Sequence, residues 1–448
     1  MLDYNLLIAV FAGIFVLLVL ILRFKIQAFI ALLIASIVVG IIAGMPPKVL
    51  MTTIQEGMGN TLGFVALVVG LGAIFGAILE HSGGAEALAN YLLDKFGHKR
   101  ASWALMLTGF FVAIPVFFDV AFIILIPLIY SLQRKTKKSL LLYAIPLLAG
   151  LAITHSFIPP TPGPVAVADI LKADLGWVIL FGFVTGVPTA IISGPLFAKY
   201  IAKRIHIDAP ALNSDIVQTK QYPAVSLVMT IIGIPIVLIV GNTVVNSPLI
   251  SEDFIGTTGK EWMAMIGNPF VALIIANLIA WYLLGIKRGV DKKELLRIST
   301  RAMAPAGIII LLTGAGGVFK QTLINTGTGD MLATYFANSG ISMLFFGFFI
   351  AAIVRILQGS ATVAMITAAG ITAPLLITGV ITEIDKALLV IAIASGASIM
   401  SHVNDSGFWL VGKYLNLTEK ETFKSWTLMT SIIALVGLCM VHIIAILV

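Results

Sequence analysis

The chain has 448 residues, of which 59% are hydrophobic and 11% charged, with a formal net charge of +7. A soluble domain carries roughly 25% charged residues, so the composition excludes a water-soluble globule and predicts an all-α polytopic membrane protein. The positive charge then reads as topology rather than nucleic-acid binding, and the single cysteine, Cys439, excludes a disulfide framework and a thiolate metal cluster.

Apolar runs fall near 5–22, 27–45, 60–80, 101–131, 140–171, 177–199, 224–243, 263–285, 303–325, 339–380, 386–412 and 425–447. About 20 apolar residues suffice for a helical span. The first run is long and follows no basic segment, so it is expected to be a true span rather than a cleaved signal. The runs at 101–131 and 339–380 are too long for one span and carry polar residues at their centres. Both are predicted to be re-entrant helical hairpins. Within 140–171 stands Thr154-His155-Ser156-Phe157-Ile158-Pro159-Pro160-Thr161-Pro162-Gly163-Pro164. Each proline lacks an amide and clashes with the preceding turn, so this stretch cannot stay helical. A break at membrane depth is tolerated only where it lines a protein cavity. A second broken helix is predicted at 386–412, around Ser401-His402-Val403-Asn404-Asp405-Ser406-Gly407.

Charge placement fixes an expected topology. Most of the 28 basic residues fall in alternate loops, including Arg134, Lys135, Lys137 and Lys138, and Lys287 to Arg301. Lys48, Lys172, Lys260 and Lys386 lie in the others. The positive-inside rule then places both termini on the periplasmic side. An internal repeat agrees, because Gly70, Gly72, Phe75 and Tyr91 align without gaps on Gly314, Gly316, Phe319 and Tyr335. The expected organisation is a first repeat at 1–204, a cytoplasmic linker at 205–222 and a second repeat at 223–448. Each repeat has five transmembrane helices plus one re-entrant hairpin and a broken helix at the midplane. An odd number of crossings inverts the second repeat, a pattern found in secondary transporters.

Two hairpin tips and two helix breaks are expected to converge on one site. Helix N-termini there offer amides and a positive dipole end to an anion. Gly359, Ser360 and Thr362 form a candidate carboxylate cradle, the alternative being tight packing through small residues. Thr154, His155, Thr161 and Asn404 are candidates to bind substrate hydroxyls, with a satisfied structural histidine as the alternative for His155. Arg355 can counter an anionic substrate or pair with a carboxylate. Asp119, mid-hairpin with no basic neighbour in sequence, is a candidate proton carrier. Asp405 is the second, with a helix N-cap as its alternative. Lys320 is expected to snorkel to the interface. The sequence offers no zinc-binding His-Glu-x-x-His pattern and no nucleophile–base pair, so no metal, cofactor or enzymatic activity is expected.

The stretch at 154–164, together with Gly359-Ser360-Ala361-Thr362-Val363-Ala364 and residues 401–409, resembles the gluconate:proton symporter (GntP) family of bacterial permeases over essentially the whole chain. The resemblance implies proton-coupled uptake of gluconate or a related sugar acid or hydroxy monocarboxylate across the bacterial inner membrane. It favours H⁺ over Na⁺ as the coupling ion. It also implies kinship with ion transporters that carry paired hairpins and often work as dimeric elevators, hence a homodimer in membrane lipid. Many gluconate permeases carry histidine between the two proline pairs, where this chain has Thr161. That departure keeps another aldonate or a shorter hydroxy acid such as glycerate in view, and one branch of the family takes D-serine. A Na⁺-coupled carboxylate transporter, a channel and a membrane-embedded enzyme are the competing readings.

Overall fold

The computed structural model describes residues 4–210, 222–246, 252–327, 342–376, 381–403 and 405–448, and among them every regular element is helical. The chain opens with α1 (Tyr4–Leu22) and α2 (Ala28–Ile42), neither of which contains a charged residue. Pro47 starts α3 (Pro47–His81) at a position where a missing amide costs nothing. The helix therefore begins well before the apolar run at 60–80. Polar residues such as Gln55 and Glu56 prolong it, and hydropathy does not register them. After α4 (Gly84–Phe96), which falls outside the apolar runs, the long run at 101–131 divides into α5 (Ala101–Val112) and α6 (Phe118–Thr136).

Next come α7 (Leu141–Phe157) and α8 (Pro162–Leu171), separated by residues 158–161. Ile158 takes extended backbone, φ −117° and ψ 115°, because the residue before a proline is pushed out of the α region. Pro162 reopens the helix at its first position. The interruption is thus shorter than the sequence suggested: Thr154, His155 and Ser156 stay in the last turn of α7.

Then follow α9 (Leu175–Ile191), a π-helical turn at Ile192–Leu196 and α10 (Phe197–Ala202). Of the expected linker, 211–221 lies outside the described residues. The second half contains α11 (Val225–Val245), α12 (Glu252–Ile266), α13 (Pro269–Ala280), α14 (Lys292–Asn325), α15 (Met343–Gln358), α16 (Ala361–Thr372), α17 (Glu383–Ala397) and α18 (Ser406–Tyr414). It closes with α19 (Glu419–Thr422), a π-helical turn at Phe423–Thr427 and α20 (Leu428–Leu447).

Burial concentrates in the helices that flank the interruptions. Every residue of α8 is buried, as is α16 from Val363 onward and α17 from Ala387 onward. Around them α1, α11, α13 and α20 turn Phe11, Phe15, Val237, Leu278 and Leu435 outward. Apolar bulk on the rim is what a lipid solvent accepts, since only the backbone must be satisfied internally. Among the described residues, 8 helical stretches are long and apolar enough to cross a bilayer. The chain is a multi-pass membrane protein.

Lys320, expected to snorkel, instead donates to the Ile170 carbonyl at the end of α8, at 2.6 Å. The last carbonyls of a helix lack partners and carry partial negative charge, so a lysine there is stabilising. The bond ties α14 to α8. Lys320→Met is expected to cost about 1–3 kcal/mol, read as a lower unfolding temperature in detergent. An unchanged temperature would mean that the tie contributes nothing.

Candidate substrate and coupling site

Pro115 and Phe117 from the α5–α6 turn, His155, Pro160 and Thr161, with Ala73 of α3, enclose a cavity of about 10 Å³. That is room for about one water molecule. His155 stands edge-on to Phe117, ring centroids 6.4 Å apart, and its Nδ1 is buried without a hydrogen-bond partner among the described residues. Thr154 points elsewhere: its hydroxyl donates to the Phe110 carbonyl at 2.8 Å and ties α7 to α5. Thr161 donates to the Ile158 carbonyl at 2.6 Å, bracing the interruption and leaving its oxygen able to accept.

The second cluster forms where α15 meets α16. Gly359 ends α15 with φ +92°, a left-handed conformation that glycine adopts without strain, and its amide bonds back to Arg355. Ser360 caps α16, accepting from the Val363 amide at 3.4 Å. Thr362 lies partly buried in the first turn of α16.

Arg355 is 4% exposed, and among the described residues it is the buried cation of the molecule. Its Nη1 donates to the Gly359 carbonyl, and its Nη2 lies 2.5 Å from Asp405 Oδ2. Its Nε is buried with no partner among the described residues. Asp405 takes the helix-cap role that was the alternative for it, accepting from the Gly407 amide at 3.1 Å to cap α18, and it is the carboxylate with which Arg355 pairs. Ser401 also donates to Asp405, while Trp426 Nε1 donates to Ser401 Oγ at 2.5 Å. Asn404 lies outside the described residues.

Side-chain contacts join the two clusters. Asp119 stands exposed in the first turn of α6, next to Phe118. Phe118 packs on Trp426, ring centroids 5.6 Å apart. A Cβ on Gly163 of α8 would come within 2.9 Å of the Met365 sulfur in α16. The α5–α6 turn, residues 158–161, the start of α16 and the segment before α18 therefore meet. Ser401 and Trp426 were not among the sequence candidates. Ser401 opens the second interrupted motif, but nothing local marks Trp426, which reaches the cluster from a π-helical turn.

Residues 4–447 match the GntP family permease model. The chain belongs to the GntP permease family. It is 40% identical over 440 residues to a gluconate permease of Pseudomonas aeruginosa, covering 97% of this chain and 96% of that one. It is 39% identical over 438 residues to a low-affinity gluconate transporter of Escherichia coli, covering 98% and 97%. Identity to the Gnt-II system L-idonate transporter of Escherichia coli is 37% over 433 residues, covering 96% and 97%. The fold is similar to that of the Alcanivorax borkumensis YdaH transporter, whose crystal structure reveals an unusual topology. That likeness has a TM-score of 0.61 at 16% identity, covers 89% of this chain and 88% of that one, and is one of fold alone. As a GntP family permease the protein is a transporter, not an enzyme.

Proposed function

We propose that this GntP family permease imports gluconate or a related sugar acid or hydroxy monocarboxylate by proton symport across the bacterial inner membrane. Relatives aligned over nearly the whole chain are named for gluconate and L-idonate, which supports the substrate class. The observation that carries the reading is Arg355, a buried guanidinium that holds Asp405 and leaves Nε without a partner among the described residues. A substrate carboxylate competes with Asp405 for that planar fork, which suits bidentate binding. Gly359, Ser360 and Thr362 complete the cradle. Substrate hydroxyls reach His155 Nδ1 and Thr161 once the cavity opens, with Asn404 as a further partner and Thr154 holding the wall.

Neutralising Asp405 with a proton frees Arg355 for the anion, so proton and substrate bind together. Asp119, exposed in the first turn of α6, takes up the proton and hands it on to Asp405. Proton entry then offsets the anion's electrical penalty of about 2.3 kcal/mol per 100 mV. The proposed frame is a pair of inverted repeats, 1–204 and 223–448, joined by a cytoplasmic linker at 205–222. In it α5–α6 and α15–α16 are re-entrant hairpins, α7–α8 and α17–α18 are broken helices, and both termini are periplasmic. The order of helix pair, interrupted helix and helix with a π turn, at Ile192–Leu196 and again at Phe423–Thr427, supports it. Two such subunits would form a dimeric elevator.

Uptake of labelled gluconate into proteoliposomes under an imposed pH gradient is the direct test. Asp119→Asn is expected to lose proton-driven accumulation while retaining gluconate counterflow. Full accumulation by the variant would take Asp119 out of the proton route. Failure of the wild-type protein to take up any sugar acid would end the reading.

A further inference from the structure

A second concave feature lies away from the transport site. Where the turn between α6 and α7 meets α10, Lys137, Lys138, Lys199, Lys203 and His206 surround a hollow of about 460 Å³. Among the described residues none of these four lysines is ion-paired; His206 alone has an acidic neighbour, Asp208 at 3.4 Å. The wall is held in shape. Lys137 adopts left-handed backbone, φ +56°, to end α6. Beneath it the Ser139 hydroxyl donates to the Ile205 carbonyl and the Leu140 amide to the Ile207 carbonyl, each at 2.8 Å, pinning the chain after α10 against α7.

Four ammonium groups around one hollow repel each other and raise the local concentration of anions. Their surroundings say which anion fits. Exposed Ile192 and Leu196 lie on the turns that lead up to Lys199 and Lys203. At the same level Arg204 covers the Tyr200 ring at 4.2 Å, an aromatic and basic pair of the kind found where membrane meets water. An apolar strip that ends in a basic hollow matches an acyl chain that ends in a phosphate.

We propose that this hollow binds a phosphate-bearing anion, with an anionic phospholipid headgroup as the source that the apolar strip favours. The positive-inside charge pattern places it on the cytoplasmic leaflet.

The test uses full-length protein in phosphatidylcholine nanodiscs doped with fluorescent phosphatidylglycerol. Wild-type protein is expected to enrich the anionic lipid. Lys137→Gln/Lys138→Gln/Lys199→Gln/Lys203→Gln is expected to lower that enrichment by about tenfold or more, given the attraction of each lysine for anionic lipid. A control removing equal charge elsewhere, Lys292→Gln/Lys293→Gln/Arg297→Gln/Arg301→Gln, should keep it. A second arm titrates inorganic phosphate and glycerol 3-phosphate against detergent-solubilised protein and reads the unfolding temperature. Stabilisation of the wild type but not of the four-lysine variant would support the phosphate site and name a soluble ester as its source. Equal lipid loss in both variants, or neither lipid enrichment nor phosphate stabilisation in the wild type, would overturn the proposal. The four lysines are exposed, so both variants should fold.

Discussion

Arg355→Gln is expected to abolish sugar-acid accumulation and to destabilise the permease by about 3–5 kcal/mol. The guanidinium is buried, holds Asp405 at 2.5 Å and also serves the Gly359 carbonyl. Without it Asp405 is left largely buried with no opposite charge beside it, and that loss of a partner is the main cost. Arg355→Lys retains the charge but not the planar fork. It is expected to recover most of the unfolding temperature and still bind substrate about tenfold or more weakly, since a bidentate carboxylate contact is lost. The informative variant is Arg355→Gln/Asp405→Asn. Removing both charges leaves no uncompensated buried ion, and Asn can still cap α18, so the protein should unfold closer to the wild-type temperature than Arg355→Gln does, yet fail to transport. Uptake by the double variant would mean that Arg355 serves only to hold Asp405, and the substrate carboxylate would have to bind elsewhere.

That pairing marks where the sequence stops being legible. Arg355 and Asp405 are 50 residues apart, and no feature of either segment announces the other. Each is conspicuous alone, because an ionisable group amid apolar residues is costly. Their contact is a product of folding. The interruption at 158–161 was readable for a local reason: proline fixes its own φ, pushes the residue before it out of the α region and denies a bond to the carbonyl four residues back. The same locality explains the error at its edge. Thr154 and His155 keep helical φ and ψ because Pro159 disturbs only the carbonyl four residues back, and the helix simply ends there. One helical residue is about 100° of rotation, which sends Thr154 to Phe110 and His155 to the cavity. The divisions at 113–117 and 359–360 were readable because the runs exceed one bilayer span. The lengths of α3 and α14 were not, because polar residues prolong a helix without raising its hydropathy. The π-helical turn that delivers Trp426 has no compositional mark at all.

The other large effect lies in packing, where the helices behind the site touch backbone to backbone. A Cβ on Gly150 of α7 would sit 2.2 Å from the Met106 carbonyl oxygen and 2.7 Å from the Phe110 amide of α5. The approach is mutual, since a Cβ on Gly109 would lie 2.3 Å from the Leu147 carbonyl oxygen. Small residues let helices come this close in lipid, and a carbonyl, unlike a side-chain tip, cannot rotate away. Gly150→Ala is expected to cost about 1–3 kcal/mol, and Gly150→Leu to leave no folded permease. A displaced α5 also carries Phe110 away from Thr154 and draws Pro115 and Phe117 off the cavity, so transport should fall with stability. In the second half α17 meets α15 in the same way: a Cβ on Gly396 would lie 2.2 Å from the Phe348 carbonyl oxygen. Gly396→Ala should therefore match Gly150→Ala in magnitude, as the two-repeat frame requires. Gly63→Ala is the control, because a Cβ there meets nothing within 4 Å, and adding one inside a helix should be neutral or stabilising by up to about 1 kcal/mol. Unfolding temperatures of the three alanine variants in detergent decide the matter. If Gly150→Ala and Gly396→Ala unfold with Gly63→Ala, the helix pairs have room to part, and the close backbone contact does not hold the site in place.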